Sequence, residues 1–400
     1  MPVIKMNYRG VEVDLTMARL VSAITIPRDD TFLMSELASR DLEPQCLRSL
    51  NGYRATRELL TLVPRPDLFK KVLRVVKIWA KKHGLYSQIL GFLGGASWAI
   101  LVAKACQLVG TEGRQEGLLY TIHRFFVIFS SWAWPDPVYI KKVVGQCESW
   151  DHCMPIITSS LPQMNSAVNI SPANCALIQA KCHEASLCLQ HIRRCSARWL
   201  AFFSPTNFFR EFPHYLLIIA TSRGNSCLWF GSVESKLRPL VKHIGFSYGV
   251  NSVRIWPRAF QQSEGSQFKQ LWFLGINMNG SSPVSMALIQ EPVHNFLQRC
   301  EDDAANMIGL SFNVSCEFLS PKQLAKFLPK NVINGFSDPY GYWSHLLSDR
   351  TPGPRSNQPP VDKNKNKETV ERKYPEFADC SGVLVWPGSS SLGSLRTRQS

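Results

Sequence analysis

LRVVKIWAKKHGLYSQILGFLGGASWAILVAKACQL (residues 73–108) contains two helix patterns joined by a short segment with a glycine pair. From Pro66 onward, apolar residues recur at helical spacing, while lysines and arginines fall on the opposite face. We expect this first helix to end at Gly84. A second, mostly apolar and therefore buried helix is expected to follow Gly94 and Gly95.

Around and beyond this stretch, the chain divides into regions with different helix, strand and low-complexity patterns. Residues 36–196 are predicted to be mainly helical, with a third apolar run at 118–132. Over residues 197–335, strand patterns alternate with helix patterns, which favours a small α+β domain. The expected strands are 214–222, 270–278 and 310–319, and the expected helices are 231–244 and 292–300. Residues 336–400 are polar and low in complexity, which predicts a disordered tail.

The beginning of the chain carries a strand pattern with carboxylates. In GVEVDLTMAR (10–19), Val13 and Leu15 alternate with acidic residues, which predicts a half-buried strand with its carboxylates on one face. Carboxylates on a strand edge are typical of metal sites, but one or two of them do not make a two-metal site. We assign residues 1–35 to a separate first domain.

Composition limits the function class. The chain has 400 residues, enough for two or three domains, and 45 Lys+Arg against 30 Asp+Glu give a net charge of +15. This excess favours a polyanionic partner, although solvated lysine faces are the alternative. MPVIKMNYRG lacks the apolar segment of a signal peptide, and residues 89–103 are too short and glycine-broken to span a bilayer. We therefore expect no membrane association and reduced cysteines.

Several segments together carry a family resemblance. They are, in chain order, PVIK and GVEVDL…AR (2–19), RSLNGYR (48–54), the 73–108 stretch, FFVIFSSWAWPDPV (125–138), MPIITSSLPQMNSAVNIS (154–171), NFFREFPHYL (207–216), VESKLRPLV (233–241) and KQLAKFLP (322–329). Together they resemble the eukaryotic nuclear poly(A) polymerases. The resemblance is most specific over 73–108 and weakens after residue 171.

The resemblance implies an enzyme of three parts. These are a nucleotidyltransferase palm, a mainly helical middle domain and an RRM-like (ferredoxin-like) α+β C-terminal domain, so we expect a multidomain α+β protein with only a remnant of the palm. Such enzymes transfer AMP from ATP to RNA 3′ ends without a template, in mRNA 3′-end processing. The resemblance also implies Mg²⁺ (or Mn²⁺), a nuclear location, a monomer, and contact with the cleavage and polyadenylation machinery.

The metal site is the weak part of the resemblance. Asp14 matches the third of the family's three metal-binding, catalytic aspartates, and the first two would lie before Met1. A lone carboxylate holds Mg²⁺ poorly, because the ion keeps its waters unless several hard oxygens converge. The chain as given is therefore expected to lack polymerase activity.

The resemblance also implies a set of nucleotide and RNA contacts. Lys77 and Tyr86 match the family's triphosphate-binding lysine and tyrosine, and Gly95 and Ala96 match residues that touch the nucleotide. The full set is Asp14, Asn51, Lys77, Tyr86, Gly95, Ala96 and Thr158 for ATP, with Asn51 near the sugar and Thr158 near the adenine, and Lys5 and Asn169 for RNA. Without the resemblance, a solvated helix lysine and a tight glycine turn are the ordinary interpretations.

The chain departs from the family pattern near the expected base site. Gln88 stands where the family has asparagine, and Ala96 is smaller than the usual residue after the glycine pair. Residues 139–153 form a shorter connection, and 159–161 replace a Pro-Ala-Tyr-type turn. These differences put ATP affinity and adenine selectivity in question.

Three other functions stay open at this stage. One is a non-catalytic RNA- or complex-binding derivative of the family, and another is a basic scaffold without a nucleotide role. The third is a different nucleotidyltransferase chemistry, such as uridylation or CCA addition. In the C-terminal region, cations in 236–243 and nearby aromatic residues could bind phosphates and stack on bases. For Trp272 and Phe273, which alternate within an expected strand, a core position is favoured.

Overall fold

The computed structural model describes most of the chain between residues 3 and 333. The described residues are 3–9, 11–20, 31–35, 38, 41–111, 117–141, 152–160, 163–205, 207–224, 227–278, 287–307, 311–328 and 330–333. They belong to two compact units, one up to Glu58 and one from Leu59 onward. The expected disordered tail, 336–400, lies outside the described residues.

The first unit begins with a β-hairpin. Strand β1 (Val3–Tyr8) pairs antiparallel with β2 (Val11–Thr16), and Lys5 lies opposite Asp14 in the register. The predicted strand is confirmed, but the prediction of a buried Leu15 is wrong, since 44% of it is exposed. A two-stranded hairpin buries little apolar surface by itself, so the face that carries Leu15 stays largely exposed.

Two helices complete the first part of the chain. They are α1 (Thr31–Met34) and α2 (Pro44–Leu62), and α2 crosses the division between the units. In the first unit, the buried residues Leu33, Ala38 and Leu50 form a small separate core.

The second unit begins with five helices, of which the sequence predicts the first three individually. They are α3 (Pro66–Lys82), α4 (Gly95–Thr111), α5 (Leu118–Ser130), α6 (Pro172–Arg193) and α7 (Trp199–Phe203). Helix α3 ends at Lys82, and Gly84 adopts φ +67, a left-handed conformation that glycine accepts without strain. The predicted helix end therefore lies two residues from the observed one, which is within ordinary fraying.

The rest of the second unit is an α+β domain. Its elements are α8 (Phe208–Glu211), β3 (His214–Arg223), α9 (Cys227–Phe246), β4 (Val250–Ile255), β5 (Phe260–Glu264), β6 (Gln267–Met278), α10 (Gln290–Ala305), β7 (Phe312–Leu319), a 3₁₀ turn (Pro321–Lys326) and α11 (Lys330–Ile333). The antiparallel sheet has the order β4–β6–β3–β7, and β5 adds to β6. With α9 after β3 and α10 after β6, this is the ferredoxin-like arrangement, which confirms the expected fold class.

Both faces of this sheet are covered. Trp272 packs in the core that α9 and α10 complete, whereas its neighbour Phe273 packs with Phe208 and Leu324 on the opposite face. Trp272 and Phe273 have no exposed surface, and Trp229 on α9 is equally buried. These aromatic side chains are core residues, so the alternative that they stack on RNA bases is wrong.

Among the described helices, none combines the length and the apolarity needed to cross a bilayer.

Candidate nucleotide-binding site

The first turn of α4 lies beneath two polar side chains. A Cβ atom placed on Gly95 would lie 2.8 Å from Tyr86 Oη and 3.6 Å from Lys77 Nζ. Three of the residues that the resemblance singled out, Lys77, Tyr86 and Gly95, therefore meet at one point. Glycine leaves the space between the helix and the phenol and ammonium open, and a larger side chain would displace Tyr86 Oη.

The backbone adds donors at the same point. The first hydrogen bond of the turn runs from Trp98 N–H to Gly94 O at 3.1 Å. The amides of Gly95, Ala96 and Ser97 precede it, in the positions where a helix offers N–H groups without intrahelical acceptors. These amides, the positive end of the helix dipole and the Lys77 ammonium together favour an anion such as a phosphate group.

Tyr86 is held in place by its surroundings. Its backbone forms a parallel bridge with Leu93, just before the glycine pair, and Lys81 Nζ lies 5.1 Å from the centre of its ring. Burial raises the pKa of the Tyr86 phenol above its ordinary value. The hydroxyl therefore keeps its proton at neutral pH and is a hydrogen-bond donor beside Gly95.

The segments 154–160 and 163–170 are attached to the same turn. Ser97 Oγ donates to Ser166 O at 3.0 Å, and the two serine hydroxyls lie 3.0 Å apart. Asn165 Oδ1 fixes the loop by accepting from Ile156 N–H at 3.0 Å and from Ala167 N–H at 2.8 Å. Thr158 Oγ1 accepts from Met164 N–H at 3.0 Å, so this side chain first of all closes the turn between them.

Gln88 connects the loop, the glycine pair and the expected RNA residue. Its Nε2 donates to Ser166 O at 3.4 Å, and its Oε1 lies 3.2 Å from where a Cβ of Gly94 would stand. Asn169 Nδ2 donates to Gln88 O at 3.0 Å. Asn169 thus has a structural hydrogen bond, and Gln88 borders the site where the family pattern has the shorter asparagine.

The remaining expected site residues belong to the first unit. Asp14 is exposed on β2, opposite Lys5 in the hairpin register. Asn51 lies on α2, and its Oδ1 is buried without a hydrogen-bond partner among the described residues. A buried amide oxygen in this state is costly unless a ligand or a water satisfies it.

Sequence reasoning missed two parts of the site. Lys81 was placed only on the charged face of α3, although it lies over the Tyr86 ring. The Ser97–Ser166 contact joins residues 69 positions apart, and nothing local in the sequence indicates it. For Lys81, its position one helical turn after Lys77 was an available signal.

His83, which follows α3, gives the site region a pH dependence. Its Nε2 lies 3.2 Å from Phe202 O, and burial lowers its pKa from 6.5 to about 4. Between these values the unfolded chain binds more protons than the folded one, so stability rises with pH there and is lost as pH falls through the window.

We expect the wild-type protein to lose about 2 kcal/mol more unfolding free energy than His83→Gln on going from pH 7 to pH 4.5. Urea unfolding of both proteins at the two pH values measures this difference. Parallel losses in the two proteins would show that His83 is not neutral when folded.

Comparison with known proteins agrees with this architecture. Three poly(A) polymerase family models match in order: the nucleotidyltransferase domain over 1–63, the central domain over 68–205 and the predicted RNA binding domain over 207–270. The central-domain match includes the whole of the Lys77–Tyr86–Gly95 site.

Two named poly(A) polymerases are similar to this chain over longer ranges than the single domain matches. Poly(A) polymerase PAPalpha of Candida albicans is 34% identical over 284 residues, which is 66% of this chain and 49% of that protein. A poly(A) polymerase of Dictyostelium discoideum is 32% identical over 298 residues, 70% of this chain and 36% of its own length. The chain thus spans half or less of the length of these relatives. The three domain matches and these identities show that the chain belongs to the poly(A) polymerase family.

Proposed function

We propose that this chain binds the triphosphate of ATP at the first turn of α4 and takes part in transferring AMP to RNA 3′ ends. The observation that carries the proposal is the approach of Tyr86 Oη and Lys77 Nζ to within 2.8 and 3.6 Å of the Cβ position of Gly95. A cation, a protonated phenol and the amides at the beginning of a helix then converge on one small space.

Each residue has a distinct role in this proposal. Lys77 balances the phosphate charge, Tyr86 donates a hydrogen bond, and the α4 amides cradle a second oxygen. Ala96 is exposed at the same turn and leaves room next to the ligand. Binding of this kind orients the triphosphate, which is the part of the reaction that positioning alone can supply.

The adenine is assigned to Thr158 and the sugar to Asn51, as the family resemblance implies. Thr158 Oγ1 accepts one hydrogen bond within the loop, and its hydroxyl is assigned to donate to a base acceptor. Gln88 adds a longer amide at the rim of the site than the family's asparagine does. Asn51, with its unsatisfied Oδ1, is assigned to the sugar of the nucleotide.

The metal-dependent part of the chemistry is not assigned to the described residues. Asp14 offers one exposed carboxylate for Mg²⁺ or Mn²⁺, and no group of three or more potential ligands occurs in the described part of the chain. Two-metal catalysis of phosphoryl transfer needs several converging carboxylates, so Asp14 does not by itself make such a site.

The wider biological assignments are proposals of the same kind. Lys5 and Asn169 are assigned to the RNA, and the protein is proposed to act as a nuclear monomer in mRNA polyadenylation with the cleavage machinery. The domain boundaries at residues 35, 196 and 335 stay predictions. The family matches change at residues 63–68 and 205–207 and end at residue 270, so only the boundary at 196 lies near one of their limits.

Replacing Lys77 by Ala is expected to weaken ATP binding about tenfold to a hundredfold, because a charge-assisted hydrogen bond to phosphate is lost. At an ATP concentration of 100 times the wild-type dissociation constant, stabilisation of about 2.7 kcal/mol should fall to between about 1.4 and 0.4 kcal/mol. Calorimetric titration and thermal unfolding with ATP measure both quantities.

Lys71→Ala is the matched control, because Lys71 is an exposed lysine on the same helix. It should leave ATP binding unchanged. Equal effects of the two substitutions would contradict the proposed site. Retained ATP and RNA binding without AMP incorporation, in Mg²⁺ or in Mn²⁺, would instead favour the non-catalytic derivative of the family.

A further inference from the structure

Two large aromatic side chains are exposed where α9 ends. Phe246, the last residue of α9, is 77% exposed, and Tyr248 in the following turn is 87% exposed. Neither belongs to the buried core. Exposed aromatic rings that contribute nothing to packing mark an interaction surface when they occur together.

Cations line up with these rings along α9. Arg238, Lys242 and Phe246 are spaced by four residues, so they follow one face of the helix over about 12 Å. Arg238 and Lys242 are exposed, and Lys242 Nζ lies 5.9 Å from the centre of the Phe246 ring. We call Arg238, Lys242, Phe246 and Tyr248 the α9 surface.

The α9 surface leads toward the candidate nucleotide site. Arg238 Cδ lies 3.8 Å from the position that a Cβ of Gly91 would take, and Asn169 O lies 3.2 Å from the same position. Asn169 is in turn hydrogen-bonded to Gln88 at the rim of that site. Arg238 therefore lies close to Asn169, the residue that is assigned to the RNA.

The sheet of the same domain does not offer an alternative surface of this kind. Its aromatic residues Trp272 and Phe273 have no exposed area, because each face of the sheet is covered by its own core. A base-stacking mode that uses the open face of a sheet is therefore not available at these positions.

We propose that the α9 surface binds single-stranded RNA upstream of the 3′ end, with phosphates on Arg238 and Lys242 and bases stacked on Phe246 and Tyr248. This inference rests on the proposed function, which brings an RNA end to the neighbouring site. The net charge of +15 suits a polyanion. Stacking on an aromatic ring does not depend on base identity, so binding is tolerant of sequence and needs unpaired bases.

The test is RNA affinity of the full chain, measured by fluorescence anisotropy with a labelled 15-nucleotide oligo(A). The double variant Phe246→Ala/Tyr248→Ala should bind oligo(A) about fivefold to a hundredfold more weakly than the wild type, because it has neither ring for a base to stack on. Phe246→Leu/Tyr248→Leu should lose as much, because leucine is apolar but has no π face. Phe246→Trp should bind as the wild type does.

The phosphate contacts are tested by salt dependence. Arg238→Ala/Lys242→Ala should reduce the slope of log K against log salt by about 1.4, which is about 0.7 for each contact to a single strand. Leu228→Ala and Lys322→Ala are controls, because both residues are exposed and lie outside the α9 surface. Both should leave affinity and slope unchanged.

Two results would overturn the inference. One is wild-type RNA affinity in Phe246→Ala/Tyr248→Ala, and the other is loss in the alanine pair with full retention in the leucine pair, which indicates an apolar protein partner. Every α9 variant should keep its stabilisation by ATP. If the wild-type chain itself does not bind oligo(A), the RNA part of the proposed function is wrong as well. If the wild type binds and Phe246→Ala/Tyr248→Ala binds equally well, only the inference about the α9 surface is wrong, so the two failures are distinguishable.

Discussion

Gly95→Ala is expected to remove nearly all of the stabilisation that ATP gives, while the ligand-free protein stays as stable as the wild type. The added Cβ would lie 2.8 Å from Tyr86 Oη, closer than real contacts allow, so the phenol has to leave its place above the helix. The same methyl group narrows the approach to the α4 amides. We expect a loss of at least about a hundredfold in ATP affinity, or more than about 2 kcal/mol of the stabilisation at 100 times the dissociation constant.

Gly95→Ala should lose ATP binding but keep its folding stability. Tyr86 Oη is the end of a side chain that rotates, and alanine favours a helix over glycine, so folding should not suffer. Gly231→Ala is the control, since Gly231 lies within α9 with no atom near its Cβ position. It should raise the unfolding free energy by about 0.5–1 kcal/mol and leave ATP binding intact. Full ATP stabilisation of Gly95→Ala would contradict the assignment of the site.

Trp79→Ala is expected to reduce the unfolding free energy of the second unit by about 3–5 kcal/mol. Trp79 is on α3 and is only 1% exposed. Its ring packs edge-on against Phe126 at 4.6 Å and against Trp98 at 6.2 Å, and lies nearly parallel to Phe202 at 6.4 Å. Truncation leaves a cavity between four helices, which cannot collapse without moving the helix that carries Lys77.

Urea unfolding of both proteins, followed by far-UV circular dichroism, measures this loss. Trp199→Ala is the matched control, because Trp199 is 41% exposed and borders the same aromatic group from outside. It should cost less than about 1 kcal/mol. Equal losses for the two tryptophans would show that α3 is not anchored by this core.

The helices that border the site could be predicted because their patterns are complete in the local sequence. Pro66 sets the beginning of α3, its apolar residues recur at helical spacing, and the glycine pair marks the beginning of α4. The long strand β6 was predictable for the same reason, since it places Trp272 and Phe273 in opposite cores. In each case, burial of a continuous apolar pattern determines the element.

The short strands β4 and β5 were missed for a physical reason. Half of VNSVRI and four of the five residues of FQQSE are polar, and four of the five residues of β5 are exposed. Both strands pair only with β6 in the described sheet, so hydrogen bonding to a buried neighbour defines them, not an apolar pattern. Only the tertiary structure supplies that neighbour.

The candidate site also has one part that could be predicted and another that only the tertiary structure shows. Lys77, Tyr86 and Gly95 were expected from the family resemblance, and their convergence follows from helix α3, the turn at Gly84 and the beginning of α4. The hydrogen bonds that attach the segment 163–170 to Ser97 depend on tertiary folding and had no local signal. The roles of Asp14 and Asn51 toward the nucleotide stay predictions.

The most direct test of the central claim compares the affinities of adenosine, AMP, ADP and ATP by calorimetric titration. If the beginning of α4 holds the triphosphate, affinity increases with each phosphate, and the ratio between ATP and adenosine falls by about tenfold or more in Lys77→Ala. Equal affinities of adenosine and ATP, or a ratio unchanged by Lys77→Ala, would contradict phosphate binding at this site.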